Sequence, residues 1–175
     1  MRTNTNILRW FLLPAVLFSL AAAARDDASA YLKSLLDSGR VTAVYTYDVD
    51  GSVPVNGCGM AVLEGNCFRL SSGSLQILCD GSAIYTVDAS SKEVYIESVG
   101  NAGKLLKDPQ SLLSGIKDLK VSGTTVSGTL PDAQNGSALH FILSEITTGA
   151  PAGSKDEFRF DSASATPEWV ITDLR

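Results

Sequence analysis

The chain has 175 residues, 45% of them hydrophobic, and a formal net charge of −5 with a single histidine. An acidic chain lacks the basic footprint that nucleic-acid binding requires, and its charge opposes adsorption on anionic lipid. Nothing in the composition points to disorder.

The first 24 residues read as a secretory signal. Arg2 and Arg9 stand without an acid, Trp10 to Leu20 form an apolar run, and Ala21 to Ala24 supply small residues for cleavage near Ala24. The run is shorter than the roughly 20 residues that span a bilayer. Removing two arginines and no acid moves the charge from −5 to −7. The expected product, residues 25–175, is one exported periplasmic domain of ordinary size.

Next comes an expected amphipathic helix. Ala28, Tyr31, Leu32, Leu35 and Leu36 share one helical face, Asp26 or Asp27 caps its start, and Gly39 ends it. From Val41 the apolar period becomes two: Val41, Ala43, Tyr45, Tyr47 and Val49 alternate with polar residues. Strands are then expected at Gly59 to Leu63, Cys67 to Ser71, Leu75 to Cys79, Ala83 to Val87 and Glu93 to Val99. Turns of Gly, Asn, Asp and Ser separate them, as in an antiparallel meander. Asp108-Pro109 opens a second expected helix with Leu112, Leu113 and Ile116 on one stripe. Strands resume at Leu119 to Val121, Thr124 to Leu130, Ala138 to Ile146, Glu157 to Phe160 and Glu168 to Asp173. About ten antiparallel strands and two short helices around one core predict an α+β, mainly antiparallel fold. Its expected form is an incomplete, half-closed β-barrel with the helices as a lid.

Cys58, Cys67 and Cys79 are permitted to oxidise after export, and an odd count leaves one thiol unpaired within a monomer. A three-residue loop at Ser72-Gly73-Ser74 would set Cys67 opposite Cys79, close enough for a disulfide after local adjustment. Three buried thiols are the alternative.

The usual catalytic signatures are missing. There is no Gly-x-Ser-x-Gly, no phosphate-binding glycine loop and no zinc spacing, and His140 has no sequence-local partner. No enzyme activity and no cofactor are expected. The remaining candidate is an apolar interior. Its proposed acyl-binding lining is Val44, Tyr45, Tyr47, Met60, Val62, Phe68, Leu70, Leu78, Tyr85, Val94, Ile96, Leu112, Leu113 and Ile116.

Three stretches carry a resemblance. They are Gly59 to Leu70, then Gln76 to Val87 with Ile77, Asp80, Gly81 and Tyr85, then Lys92 to Ile96. With Phe158-Arg159-Phe160, Pro167 and Val170 to Arg175, they make the chain similar to the LolA family of periplasmic lipoprotein carriers. The resemblance covers most of residues 25–175. It implies a helical lid over a hydrophobic cavity. That cavity takes the acyl chains of lipoproteins from an inner-membrane ABC transporter and carries them toward the outer membrane. It implies a monomer with lipoproteins as partners, no nucleic acid and an unspecified outer-membrane acceptor. The best-known members carry Arg-Pro before the Phe strand, where this chain has Glu64-Gly65, so it resembles a divergent branch. The alternative is a periplasmic sensing or protein-interaction module of similar fold without lipid.

Overall fold

The computed structural model describes residues 31, 34, 35, 38–50, 55–100, 116–131, 138–163 and 165–175. The alternation at Val41 to Val49 becomes strand β1 (Arg40–Val49), with every odd residue buried. After it come β2 (Val55–Glu64), β3 (Cys67–Ser72), β4 (Leu75–Cys79), β5 (Ala83–Asp88) and β6 (Glu93–Ser98). Then follow β7 (Lys117–Ser122), β8 (Thr125–Pro131), β9 (Ala138–Gly149) and β10 (Val170–Asp173). All ten belong to one sheet in the order β10-β6-β5-β4-β3-β2-β1-β9-β8-β7.

The expected barrel with a helical lid is corrected here. The sheet is open, with β7 and β10 at opposite ends. It is also mixed, because β10 lies parallel to β6 while the other described pairings are antiparallel. The physical reason is the route of the chain after β9. It crosses one side of the sheet and adds its last strand outside β6, so the terminal strands are β10 and β7, which do not pair with each other. The segment expected as a strand at Glu157 to Phe160 is instead a 3-10 turn, Asp156–Phe158, whose Phe158 is buried against the sheet. Among the described residues no lid of short helices is present. The signal segment and most of both expected helices lie outside the described residues, and Tyr31, Ser34 and Leu35 have helical backbone.

Register is set by the turns. Gly65-Asn66 and Gly73-Ser74 are two-residue connections whose first residue has φ of +59° and +57°. Glycine at that place is what a type II′ hairpin demands. The Gly73-Ser74 loop is one residue shorter than the Cys67–Cys79 pairing requires, so Phe68, not Cys67, faces Cys79.

Pairing across the ladder assigns every side chain to one of two faces. One, the broad face, carries Val41, Ala43, Leu63, Phe68, Ile77 and Leu143 in a cluster that runs from β5 across to β8. Tyr31, Leu35, Val99 and Ile116 pack on it. The other, the strap face, is crossed by residues 152–163 and 165–169. Phe158 covers Val62 and Cys67, while Phe160 and Trp169 cover Leu78, Tyr85, Val94 and Ile96.

Candidate functional site

The broad face has a floor of small residues under flat rings. Tyr45 stands opposite Gly59 and Tyr47 opposite Gly57. A methyl carbon on Gly57 would lie 2.7 Å from the Tyr47 hydroxyl, and one on Gly59 would lie 2.6 Å from the Tyr45 hydroxyl. Phe141 covers Gly128 in the same way, 2.8 Å from such a carbon. Rings laid over cross-strand glycines replace the side-chain contacts that glycine cannot make. The Tyr45 and Tyr47 rings stack with centroids 6.3 Å apart. Burial drives the Tyr45 phenol up to about 12 and raises that of Tyr47, so both stay neutral at any physiological pH. With Ala43 and Ala61 beside them, these residues make a low, wide apolar surface.

The expected lining residues divide between the two faces. Tyr45, Tyr47, Phe68 and Leu70 lie buried on the broad face. Val62, Leu78, Tyr85, Val94 and Ile96 lie on the strap face under Phe158, Phe160 and Trp169. Val44 is half-buried and Met60 is exposed, opposite one another on the uncovered part of that same face. Ile116 packs against the broad-face cluster, and Leu112 and Leu113 lie outside the described residues. Neighbouring residues such as Val44 and Tyr45 point to opposite sides of a pleat, so they do not line one hollow.

The cysteines are unbridged. Cys58 is exposed, and Cys67 and Cys79 are buried. The one-residue register difference puts Cys79 in the broad-face cluster and Cys67 under Phe158 on the other side. Asn66 stands between them: the Cys67 thiol donates to its side-chain oxygen at 3.8 Å, and the Cys79 thiol to its main-chain oxygen at 3.9 Å. Burial raises the pKa of both thiols, that of Cys79 to about 11, which suppresses the reactive thiolate.

Sequence reasoning missed the anchor of the strap. Arg40 at the start of β1 donates to Glu64 at 2.9 Å, and both of its terminal nitrogens donate to the Glu157 carboxylate. Arg69 stands 3.8 Å from Glu157. Glu64 also accepts the Ala152 N–H at 2.9 Å, and the Arg40 guanidinium lies 6.0 Å from the Phe158 ring centre. Hydrogen bonds from Arg40 hold the Glu157 carboxyl below its usual range, and the Ala152 N–H does the same for Glu64. These partners are 24 and 117 residues apart in the chain, so no local spacing signals them. The alternation of Gly57 and Gly59 across from Tyr45 and Tyr47 is a signal that sequence pattern does carry.

Beyond the strap, the uncovered part of the same face has a shallow pocket of about 390 Å³ between Thr46, Asp48, Cys58, His140 and Ile142. His140 sits 2.9 Å from Asp50 and 3.0 Å from the Thr129 hydroxyl. Among the described residues no group of three or more His, Cys, Asp or Glu side chains is placed to hold a metal ion. No described helix is long and apolar enough to cross a membrane.

No protein-family model matches the chain, and no curated protein matches it. Among solved structures it is similar to an uncharacterized conserved protein from Thermus thermophilus. That match has 7% identity and a TM-score of 0.47, and covers 85% of this chain and 99% of that one.

Proposed function

We propose that the chain is an exported, non-enzymatic carrier that shelters the acyl chains of lipoproteins on its broad face. It would receive them from an inner-membrane ABC transporter and move them through the periplasm toward an outer-membrane acceptor. The observation that carries this reading is the floor of Gly57, Gly59 and Gly128 beneath flat aromatic rings, with Ala43 and Ala61 beside it. A floor of small residues lets a long thin chain lie close to the backbone once the covering rings and segments shift. Each buried methylene contributes about 0.8 kcal/mol, so ten of them would hold cargo by roughly 8 kcal/mol without any charged contact. The signal-like first 24 residues agree with work in an exported compartment.

A second reading is favoured by one observation: Tyr45, Phe68, Leu70 and Ile77 are as buried as residues of a filled core. On that reading the chain is an interaction module without lipid. Native mass spectrometry of protein isolated from the periplasm of its own cell separates the two. The carrier reading expects a co-purifying acylated protein. It also expects photo-crosslinks to that cargo from Tyr47 and Leu70 positions but not from Met60 or Ile142. Protein that is always empty, or crosslinks confined to Met60 and Ile142, would overturn the carrier reading.

A further inference from the structure

Among the described residues the two outer edges of the sheet are built in opposite ways. β7 carries Lys117 and Lys120, a register shift between them, and Asp118 at φ +52°. Lysines and bulges on an edge deter a further strand. β10 has neither. Of six exposed large hydrophobic side chains among the described residues, three fall within five consecutive positions there: Val170 (58%), Ile171 (41%) and Leu174 (60%).

The backbone of β10 is also open on one side. The Val170 N–H donates to Lys92 at 2.9 Å and the Leu174 N–H to Ile96 at 2.8 Å. Strand alternation therefore turns the main-chain groups of Ile171 and Asp173 away from β6, and among the described residues no strand lies beyond β10.

We propose that β10 is the association surface for a second copy of this chain, the two β10 strands pairing antiparallel about a twofold axis at Thr172. The strip is self-complementary in that register. Ile171 and Asp173 exchange hydrogen bonds with the second copy's Asp173 and Ile171. Val170 meets the second copy's Leu174 on one face, twice by symmetry, and Arg175 arrives beside the second copy's Trp169 and Glu168. An isologous contact of this kind closes as a dimer. Charge permits it: Lys92 pairs with Glu168 and Arg175 with Asp173 along this edge. Two local cations thus balance two local anions on a chain that is acidic elsewhere. The strand is too short to supply the roughly 800 Å² per partner of a stable interface, so the dimer is a weak one that forms at high concentration.

Sedimentation equilibrium of the exported protein, from micromolar to millimolar concentration, tests this. The expected result is reversible monomer–dimer association. Hydrogen exchange at the Ile171 and Asp173 amides should slow as concentration rises. Val170→Lys and Leu174→Lys should each weaken association by about tenfold or more, with the thermal midpoint checked for folding. Met60→Lys and Ile142→Lys should leave association unchanged. The exchange measurement on the unsubstituted protein decides the matter even if an edge variant fails to fold. A monomer throughout the range would overturn the proposal. So would association insensitive to both edge variants, or association without protection at Ile171 and Asp173.

Discussion

Gly59→Ala is the sharpest test of the broad-face architecture. An ideal methyl carbon on Gly59 would lie 2.0 Å from the Ser71 carbonyl oxygen, 2.6 Å from the Tyr45 hydroxyl and 2.8 Å from its ring. The Tyr45 side chain has torsions with which to retreat, but the carbonyl belongs to the backbone of β3. Relieving the clash therefore means displacing β3 against β2. Forcing an extra methyl into a packed site costs about 1–3 kcal/mol. Restricting the unfolded chain returns about 0.4–1 kcal/mol, because alanine has less freedom than glycine. The steric term wins, since the central values of the two ranges differ by about 1.3 kcal/mol of net loss. For a domain of this size each kcal/mol lowers the midpoint by about 2–4 °C, so the expected fall is about 3–5 °C. Gly149→Ala is the control: it sits in β9, has no positive φ and meets nothing within 4 Å. Urea unfolding followed by circular dichroism gives both free energies. In a double-mutant cycle, Tyr45→Leu should reduce the cost of Gly59→Ala only in part, since the carbonyl clash persists. If Gly59→Ala matches or exceeds the parent while Gly149→Ala behaves as expected, the proposed ring-over-glycine packing is refuted.

Three further outcomes follow from the strap. Phe158→Ala should cost about 3–5 kcal/mol in urea unfolding, and should speed alkylation of Cys67 while leaving Cys79 slow, because only Cys67 lies beneath that ring. Alkylation under denaturing conditions without reductant should label three thiols by mass, whereas one labelled thiol would mean that the register has shifted to permit a bridge. Glu64 and Glu157 have depressed carboxyl pKa values in the folded state. Their contribution is therefore complete above the unfolded value of about 4.3 and is lost as pH falls through the lower folded values. Unfolding free energies measured from neutral pH downward should show that acid decline, and Glu157→Gln should flatten it. An unchanged slope in the variant would count against the Arg40 anchor.

Much of the sheet was legible in the sequence because a half-buried strand writes its period of two into the residues. β1, β4 and β6 were found nearly to their ends, and the glycine-bearing turns were found as turns. Register was harder to read. Ser72-Gly73-Ser74 serves equally as a two- or a three-residue connection by composition, and one residue of slip exchanges the faces of a strand. That ambiguity set Cys67 opposite Cys79, whereas pooling Val44 with Tyr45 in a single lining overlooked the alternation within β1. The Arg40 anchor was not legible, because its partners are brought together only by the return of the chain from β9.

Local sequence therefore determined where strands run and which residues within each are apolar, because side-chain alternation depends only on neighbours along the chain. Tertiary structure alone decided that the sheet stays open, that β10 joins β6 in parallel, and that two apolar faces exist in place of one interior. Those outcomes depend on which backbone edges meet in space. Adding the last strand outside β6 makes β10 one end of the sheet, and because β10 does not meet β7 at the other end, the sheet stays open.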